Sequence, residues 1–203
     1  QTNIDASVQY TPFLKYRRHQ GVRIPMGSDY PTFTLQYRQG ISSLWGSRTD
    51  YSHIQFKAEQ KREWAVFYRL QWLVEAGKLF NATNLHFMQW HHFGSSNLPI
   101  GNDAWETNFT TSKPYILSTN QWYIRLSGGY ASPSLFLKYL PFFSNRLWLE
   151  NLYLHHVTLP RQNHYSEIGY GISGIFLFAR VALFAGFDNG KINEVTFRAG
   201  FNF

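Results

Sequence analysis

Apolar and polar residues alternate with period two over several long windows. In the last, Val195, Phe197, Ala199, Phe201 and Phe203 share one face, and Glu194, Thr196, Arg198, Gly200 and Asn202 share the other. In the first, Ile4, Ala6, Val8, Tyr10, Leu14 and Tyr16 oppose Asp5, Ser7, Gln9, Thr11, Lys15 and Arg17. Trp64, Val66, Tyr68, Leu70, Trp72 and Val74 oppose Arg69, Gln71 and Glu75, and Trp122, Ile124 and Leu126 oppose Gln121, Tyr123, Arg125 and Ser127. Shorter matches are Phe33-Leu35-Tyr37 and Ile54-Phe56-Ala58, and a more apolar window runs from Ile175 to Phe187 around Arg180. Successive strand side chains point to opposite faces, so this alternation predicts strands with one apolar side.

Turn chemistry separates the windows. Asn189-Gly190 predicts a tight hairpin, because a type I′ turn needs positive φ at both central residues. Gln60 to Glu63 is expected to be a short charged connection, and Arg18 to Asp29 a long loop, with Thr158 to Gln162 a smaller one. Gly77 to Ala104 is expected to be a loop with a short strand near Leu85 to Trp90, and Ser134 to Pro141 a short amphipathic turn. About ten strands emerge, in one domain over residues 1–203.

Strand length and side-chain chemistry decide what the apolar faces contact. A tilted membrane crossing takes ~9–11 residues, against ~5–6 for a typical globular strand. Several windows run that long, with Tyr16, Tyr37 and Trp64 near their ends, as in an aromatic girdle. Slipping the last window by one residue would turn Arg198 toward lipid, at roughly 2–4 kcal/mol near the midplane. Composition points the same way. Aromatics reach 19% and charged residues only 15% of 203 residues, which excludes intrinsic disorder. Mean hydropathy is −0.33, and no apolar run is long enough for a spanning helix. The expected fold is therefore all-β, an antiparallel transmembrane β-barrel. A soluble sandwich or lipocalin-like barrel is the alternative. No secretory leader opens the chain: a leader has been removed, or this is a piece of a longer chain.

Certain phrases resemble one family. Phe67-Tyr68-Arg69-Leu70 runs into Glu75-Ala76-Gly77-Lys78-Leu79-Phe80. Thr119-Asn120-Gln121-Trp122-Tyr123 and Leu140-Pro141-Phe142-Phe143 follow, then Tyr165-Ser166-Glu167-Ile168-Gly169-Tyr170-Gly171-Ile172 with Phe176, Arg180 and Val181. In this order, from Phe67 to Phe203, they resemble the C-terminal barrel portion of a Bacteroidetes-type outer-membrane family of unknown function. Full-length members begin with a carboxypeptidase-regulatory-like domain, and the barrel is distantly similar to the BamA/surface-antigen superfamily. The resemblance implies the outer membrane of a Gram-negative bacterium and no catalytic residues. It leaves open whether these strands close by themselves or are the last part of a larger barrel. The terminal strand also resembles the signal read by the barrel assembly machinery, which singles out Val195, Phe197, Phe201 and Phe203.

Chemistry-bearing residues are few. Cysteine is absent, which excludes disulfides, thiolate metal sites and a Cys nucleophile. His164 and Ser166, two apart on one strand face, are the best nucleophile–base candidate, and outer-membrane lipid hydrolases resemble this. The adjacent pairs His91-His92 and His155-His156 each point to opposite strand faces, so neither chelates one ion; with His86 they are expected at interfaces or in loops. No metal and no cofactor is expected. The triplets Asn81-Ala82-Thr83 and Asn108-Phe109-Thr110 are chance matches to the glycosylation signal in this setting.

The chain carries 19 Lys+Arg against 12 Asp+Glu, a net charge of +7. Lys15, Arg17, Arg38, Lys57, Arg69, Arg125 and Arg198 fall on the polar faces and are expected to line the lumen, with Asp5, Glu59, Glu75 and Glu194 as partners. They alternate along strands instead of clustering, which argues against nucleic acid. Lys15-Arg17-Arg18 and Lys61-Arg62 at strand ends are expected to meet lipopolysaccharide phosphates. The expected partners are thus outer-membrane lipid and lipopolysaccharide, the assembly machinery and other envelope proteins. The expected role is non-enzymatic: transport, outer-membrane assembly or partner anchoring. A lipid hydrolase using His164 and Ser166, or a soluble β-barrel binder, are the alternatives.

Overall fold

The computed structural model describes residues 2–42, 50–65, 67–82, 85–102, 104–133, 135–139, 148–160 and 164–201. Their strands are β1 (Asn3–Tyr10), β2 (Lys15–His19), β3 (Val22–Gly27), β4 (Thr32–Gly40), β5 (Tyr51–Trp64), β6 (Tyr68–Phe80), β7 (Trp122–Ser132), β8 (Leu149–Thr158), β9 (His164–Ile175), β10 (Ala179–Asp188) and β11 (Lys191–Phe201). Nine of them form one antiparallel sheet in the order β1-β4-β5-β6-β7-β8-β9-β10-β11, and β2 pairs only with β3. No helix among the described residues is long and apolar enough to cross a membrane. The chain is all-β as expected, and the question of closure that the sequence left open has an answer. Among the described residues β1 and β11 are both edges, so the sheet is open.

Several boundaries differ from the alternation, each for a local reason. The first window does not run through to Arg17. Pro12 has no N–H to give a ladder, and Phe13 turns the chain with φ +49°. Lys15 and Arg17 therefore lie in the β2–β3 hairpin, which replaces the expected loop from Arg18. Gln60 to Glu63 are not a connection but the end of β5, where Lys61, Arg62 and Glu63 pair with Gln71, Leu70 and Arg69. The apolar run from Ile175 is a hairpin, not one strand: Phe176 and Leu177 turn at φ +50° and +74°. Asn189 and Gly190 make the expected tight turn, at φ +49° and +78°. In place of a strand near Leu85 to Trp90 there is a short 3-10 turn at Phe87–Gln89, and a second lies at Leu137–Tyr139. Val66 and Phe203 lie outside the described residues.

Burial along the sheet is the reverse of a water-soluble wall. Trp122, Ile124, Leu126, Leu154, Ile168, Val195 and Phe197 are exposed, whereas Tyr123, Arg125, His155, Glu167 and Arg198 are buried. Phe197 is 54% exposed and its neighbour Arg198 0%. The inward face is covered by the described parts of the long β6–β7 connection, residues 81–82, 85–102 and 104–121. From it Phe93, Phe109 and Leu117 pack with Tyr51, Leu79, Tyr123 and Val157, and Trp105 packs with Tyr153, Ala182 and Phe184. Phe184 has room because Gly169 faces it: a Cβ there would lie 2.4 Å from the ring. Coverage stops short of the first strand, which is exposed along its whole length on both faces.

Candidate functional site

The inward face and the connection it holds form the most developed polar site. Glu167, fully buried on β9, is its strongest clamp. Its carboxylate accepts the backbone N–H groups of Thr110 (2.7 Å), Thr111 (3.0 Å) and Ser112 (3.2 Å). It also accepts the hydroxyls of Thr110 (3.0 Å), Thr111 (2.7 Å) and Tyr165 (2.9 Å). Three successive amides aimed at one carboxylate make an anion nest, and charge-assisted bonds are roughly twice as strong as neutral ones. A loop that runs through an interior must have its N–H groups answered; Glu167 answers three of them.

A second clamp joins β6 and β7 to the same connection. Glu75 takes Gln55 Nε2 at 2.9 Å, His91 Nε2 at 3.0 Å and Arg125 Nη1 at 3.5 Å. Arg125 donates onward to the Thr107 carbonyl and lies 5.5 Å from the Phe109 ring centroid and 5.8 Å from that of Phe93. Tyr123 OH shares hydrogen bonds with His53 Nε2 (3.3 Å) and His91 Nδ1 (3.2 Å), and its ring stacks on His91. Beside this network is a cavity of about 330 Å³ bordered by Arg38, Tyr51, His53, Gln55, Gln89 and His91. Further out in the connection, burial holds the pKa of His92 below its ordinary value, and its Nδ1 bonds Ser118 Oγ at 2.7 Å.

A third clamp is aromatic. The Arg180 guanidinium sits 3.9 Å from the Trp105 ring centroid and that of Arg198 5.6 Å away, while Phe184 meets the same indole edge-on. Arg198 also donates to the Ser96 carbonyl. Ala199 trades backbone bonds with Pro99 and Gly101 (2.8 and 3.1 Å). A third carboxylate works the same way at another loop. Glu150 accepts from the amides of Leu135, Phe136 and Leu137 and from Tyr170 OH.

The residues singled out from sequence distribute as follows. Arg125 and Arg198 are buried on the inward face. Arg38, Lys57 and Arg69 stand on that face in β4, β5 and β6, with Arg38 paired to Asp5 at 2.6 Å, Lys57 to Glu59 at 2.8 Å and Arg69 to Glu63 at 3.2 Å. Lys15 and Arg17 do not line it. They are in the hairpin, with Lys15 bound to Asp29 at 2.5 Å, which lowers the Asp29 pKa. Val195 and Phe197 are exposed on the outward face, as is Phe201. Among the described residues no group of three or more His, Asp or Glu is placed to hold a metal ion.

His164 and Ser166 share the outward face but do not bond each other. Ser166 Oγ meets His156 Nδ1 across the β8–β9 pair at 2.8 Å. His156 Nε2 and His164 Nδ1 both reach Thr158 Oγ1, at 3.1 and 3.2 Å. The partner of the serine is the neighbouring strand's histidine, which strand pairing alone reveals.

Sequence reading missed Glu167, Glu150, Trp105 and the Thr110–Ser112 tract. The available signal was a lone carboxylate at an inward position in a chain with only 12 Asp+Glu, together with three hydroxyl residues in a row (Thr110, Thr111, Ser112).

A family model described as "Family of unknown function (DUF5686) C-terminal domain" matches residues 1–172. No curated protein and no solved structure matches the chain.

Proposed function

The chain belongs to the family of unknown function DUF5686, as its C-terminal domain, and we propose that it is a membrane-embedded wall of an outer-membrane β-barrel in a Gram-negative bacterium. The observation that carries this reading is the inverted burial: Trp122 and Phe197 outward and exposed, Arg125 and Arg198 inward and buried. In water such a wall would leave a broad apolar surface uncovered, an arrangement that marks a contact with lipid or protein. In a bilayer, alternate apolar residues face acyl chains while the ladder satisfies the backbone. Strands β5 to β11, of 10 to 14 residues, are long enough to cross at a tilt. The resemblance to the Bacteroidetes-type family and, more remotely, to the BamA-type superfamily supports the same location.

The role proposed is non-enzymatic. The inward face is filled by the described parts of the β6–β7 connection, clamped by Glu167, Glu75 and Trp105, which suits anchoring a partner or assembling envelope components better than free diffusion of solutes. Lipid and lipopolysaccharide are the surrounding partners, and β11, with Val195, Phe197 and Phe201, together with the terminal Phe203 of the sequence, is the segment offered to the assembly machinery. Fractionation tests the location: the protein stays in the outer-membrane fraction through a urea wash and shows heat-dependent mobility on gels. Recovery in the wash without detergent would overturn the reading.

One observation favours a second reading, a lipid hydrolase: the 2.8 Å contact of Ser166 Oγ with His156 Nδ1 on the outward face. Against it, β8 and β9 are paired in an unbroken ladder at this level, so their amides are committed to each other and do not form an oxyanion hole. Release of acyl chains from outer-membrane lipid, lost in Ser166→Ala, is the result that would establish it.

A further inference from the structure

The two rims of the nine-stranded sheet constrain what completes it. β1 pairs only with β4. Among the described strands β11 pairs only with β10, and Ala199 on its rim exchanges backbone hydrogen bonds with Pro99 and Gly101. Every neighbouring pair is antiparallel, so strand direction reverses at each of the eight interfaces from β1 to β11. Eight reversals restore the starting direction. β1 and β11 therefore run the same way, and a seam made directly between them would be the one parallel ladder in the wall.

We infer that the sheet is completed by an odd number of further antiparallel strands between β11 and β1, supplied by the part of the polypeptide that precedes this domain. An odd number is what lets each rim meet an antiparallel neighbour, and it brings the nine strands to an even total, the rule for single-chain bacterial outer-membrane barrels. This rests on the barrel reading above.

The source follows from direction and from the family. Two copies held in the same orientation in one membrane would bring β11 of one beside β1 of the other in parallel. A β1–β1 or β11–β11 seam is antiparallel only if one copy is inverted. A second copy in the same membrane would therefore meet either rim in parallel, unlike every other seam of the sheet, whereas a domain described as C-terminal belongs to a polypeptide with chain before it. Burial agrees that more than a seam is missing. On β1 the inward residues Asp5, Ser7 and Gln9 are exposed together with the outward Ile4 and Val8, so this end of the sheet lacks both a neighbour and an interior. The incoming strands must carry apolar residues at the positions flanking Val8 and Phe197 and polar ones between them. An unpaired edge this long in a membrane would leave ladder N–H and C=O groups unanswered in hydrocarbon.

Cross-linking in the full-length polypeptide, in its native membrane, tests this. Residues 1–203 hold no cysteine, so introduced thiols in the domain are unique. A photoreactive residue is placed at Val8 or at Phe197, both exposed, and adducts are mapped by mass spectrometry. Peptides from the chain preceding this domain are expected from both sites. In parallel, Ala6→Cys or Val8→Cys is combined with Val195→Cys or Phe197→Cys and treated with a short bismaleimide. No β1–β11 product is expected, while the control pair Leu183→Cys with Phe197→Cys, directly opposite across β10–β11, joins. A β1–β11 product, a dimer between copies, or adducts to lipid alone would each overturn the inference. A protein that withstands the urea wash yet joins β1 to β11 keeps the membrane reading and loses this one; a protein washed into buffer loses the membrane reading itself.

Discussion

Glu167 and Thr110 lie 57 positions apart in the chain, yet the carboxylate receives both the backbone N–H and the hydroxyl of that threonine, at 2.7 and 3.0 Å. The contact ties an irregular connection to strand β9. It also explains why a buried carboxylate is tolerated: three backbone amides and the surrounding hydroxyls answer its lone pairs.

Removing that acceptor should free the connection without dissolving the sheet. Glu167→Ala leaves three buried amides and three hydroxyls without it, and breaking a buried charged network of this kind costs about 3–5 kcal/mol. Glu167→Gln keeps one acceptor oxygen and should cost less. Thr111→Val, which deletes a hydroxyl bonded to both Glu167 and Tyr165 OH (2.5 Å), should cost about 1–2 kcal/mol. The measurements are the temperature at which the gel-mobility shift occurs and protease cutting within residues 104–113. Cutting that does not rise in Glu167→Ala would show that the clamp does not hold the loop.

Trp105→Ala should open the interior. The indole is wedged between two guanidinium groups and the ring of Phe184. Truncating a buried Trp costs about 3–5 kcal/mol and here also leaves Arg180 and Arg198 without their aromatic face. The full-length protein in a planar bilayer should conduct little, and the variant several-fold more, with a preference for anions from the two exposed arginines. Equal conductance would mean that residues 81–121 do not set the permeability.

The sheet was legible in the sequence because alternation is a local property. Trp122, Ile124 and Leu126 face out, and Tyr123, Arg125 and Ser127 are buried, as the pattern requires. The Asn189-Gly190 turn was legible for the same reason. What alternation does not encode is which strands pair and what fills the interior. Lys15 and Arg17 keep the period of β1 and still fall in a separate hairpin, because Pro12 and Phe13 break the ladder between them. The clamps at Glu167 and Glu75 join residues tens of positions apart, and no periodicity reports contacts of that range. Ser166 was paired with the histidine on its own strand, while its bond crosses to His156 on the next.

The β9–β10 hairpin stores backbone strain. Phe176 and Leu177 both take positive φ, which costs an L-residue with a Cβ roughly 1–2 kcal/mol, and both side chains are exposed. Replacing them with Asn and Gly, residues that tolerate positive φ as they do in the two-residue turn between β10 and β11, should raise stability by about 1–2 kcal/mol. The reverse exchange at Asn189 and Gly190 should lower it by a similar amount. Thermal unfolding in detergent reads both.

Acidification should loosen the outer part of the connection. Burial lowers the pKa of His92, so the folded state favours the neutral ring. A depressed folded-state pKa gives stability that is present above the unfolded value, ~6.5, and lost as pH falls through the folded one. Protease cutting near His92 should therefore rise between pH 7 and pH 5. In His92→Asn, which keeps a polar partner for Ser118 but does not titrate, the rise should be absent.

The outward face offers the most direct test of what surrounds the protein. Leu126 is 42% exposed on β7 and Leu154 58% on β8. If water covered them, a charged replacement at such exposed positions would change stability by no more than about 0.5 kcal/mol. In a bilayer, arginine near the midplane costs about 2–4 kcal/mol, and nearer the interface ~0–1 kcal/mol. Leu126→Arg and Leu154→Arg should accordingly fold poorly into lipid vesicles and accumulate outside the membrane fraction. The same change at His164, at the strand end, should be nearly silent. Refolding yield against denaturant in vesicles gives the three values on one scale. The gradient from strand middle to strand end carries the argument, since a general intolerance of arginine would lower all three alike, and a soluble wall none of them.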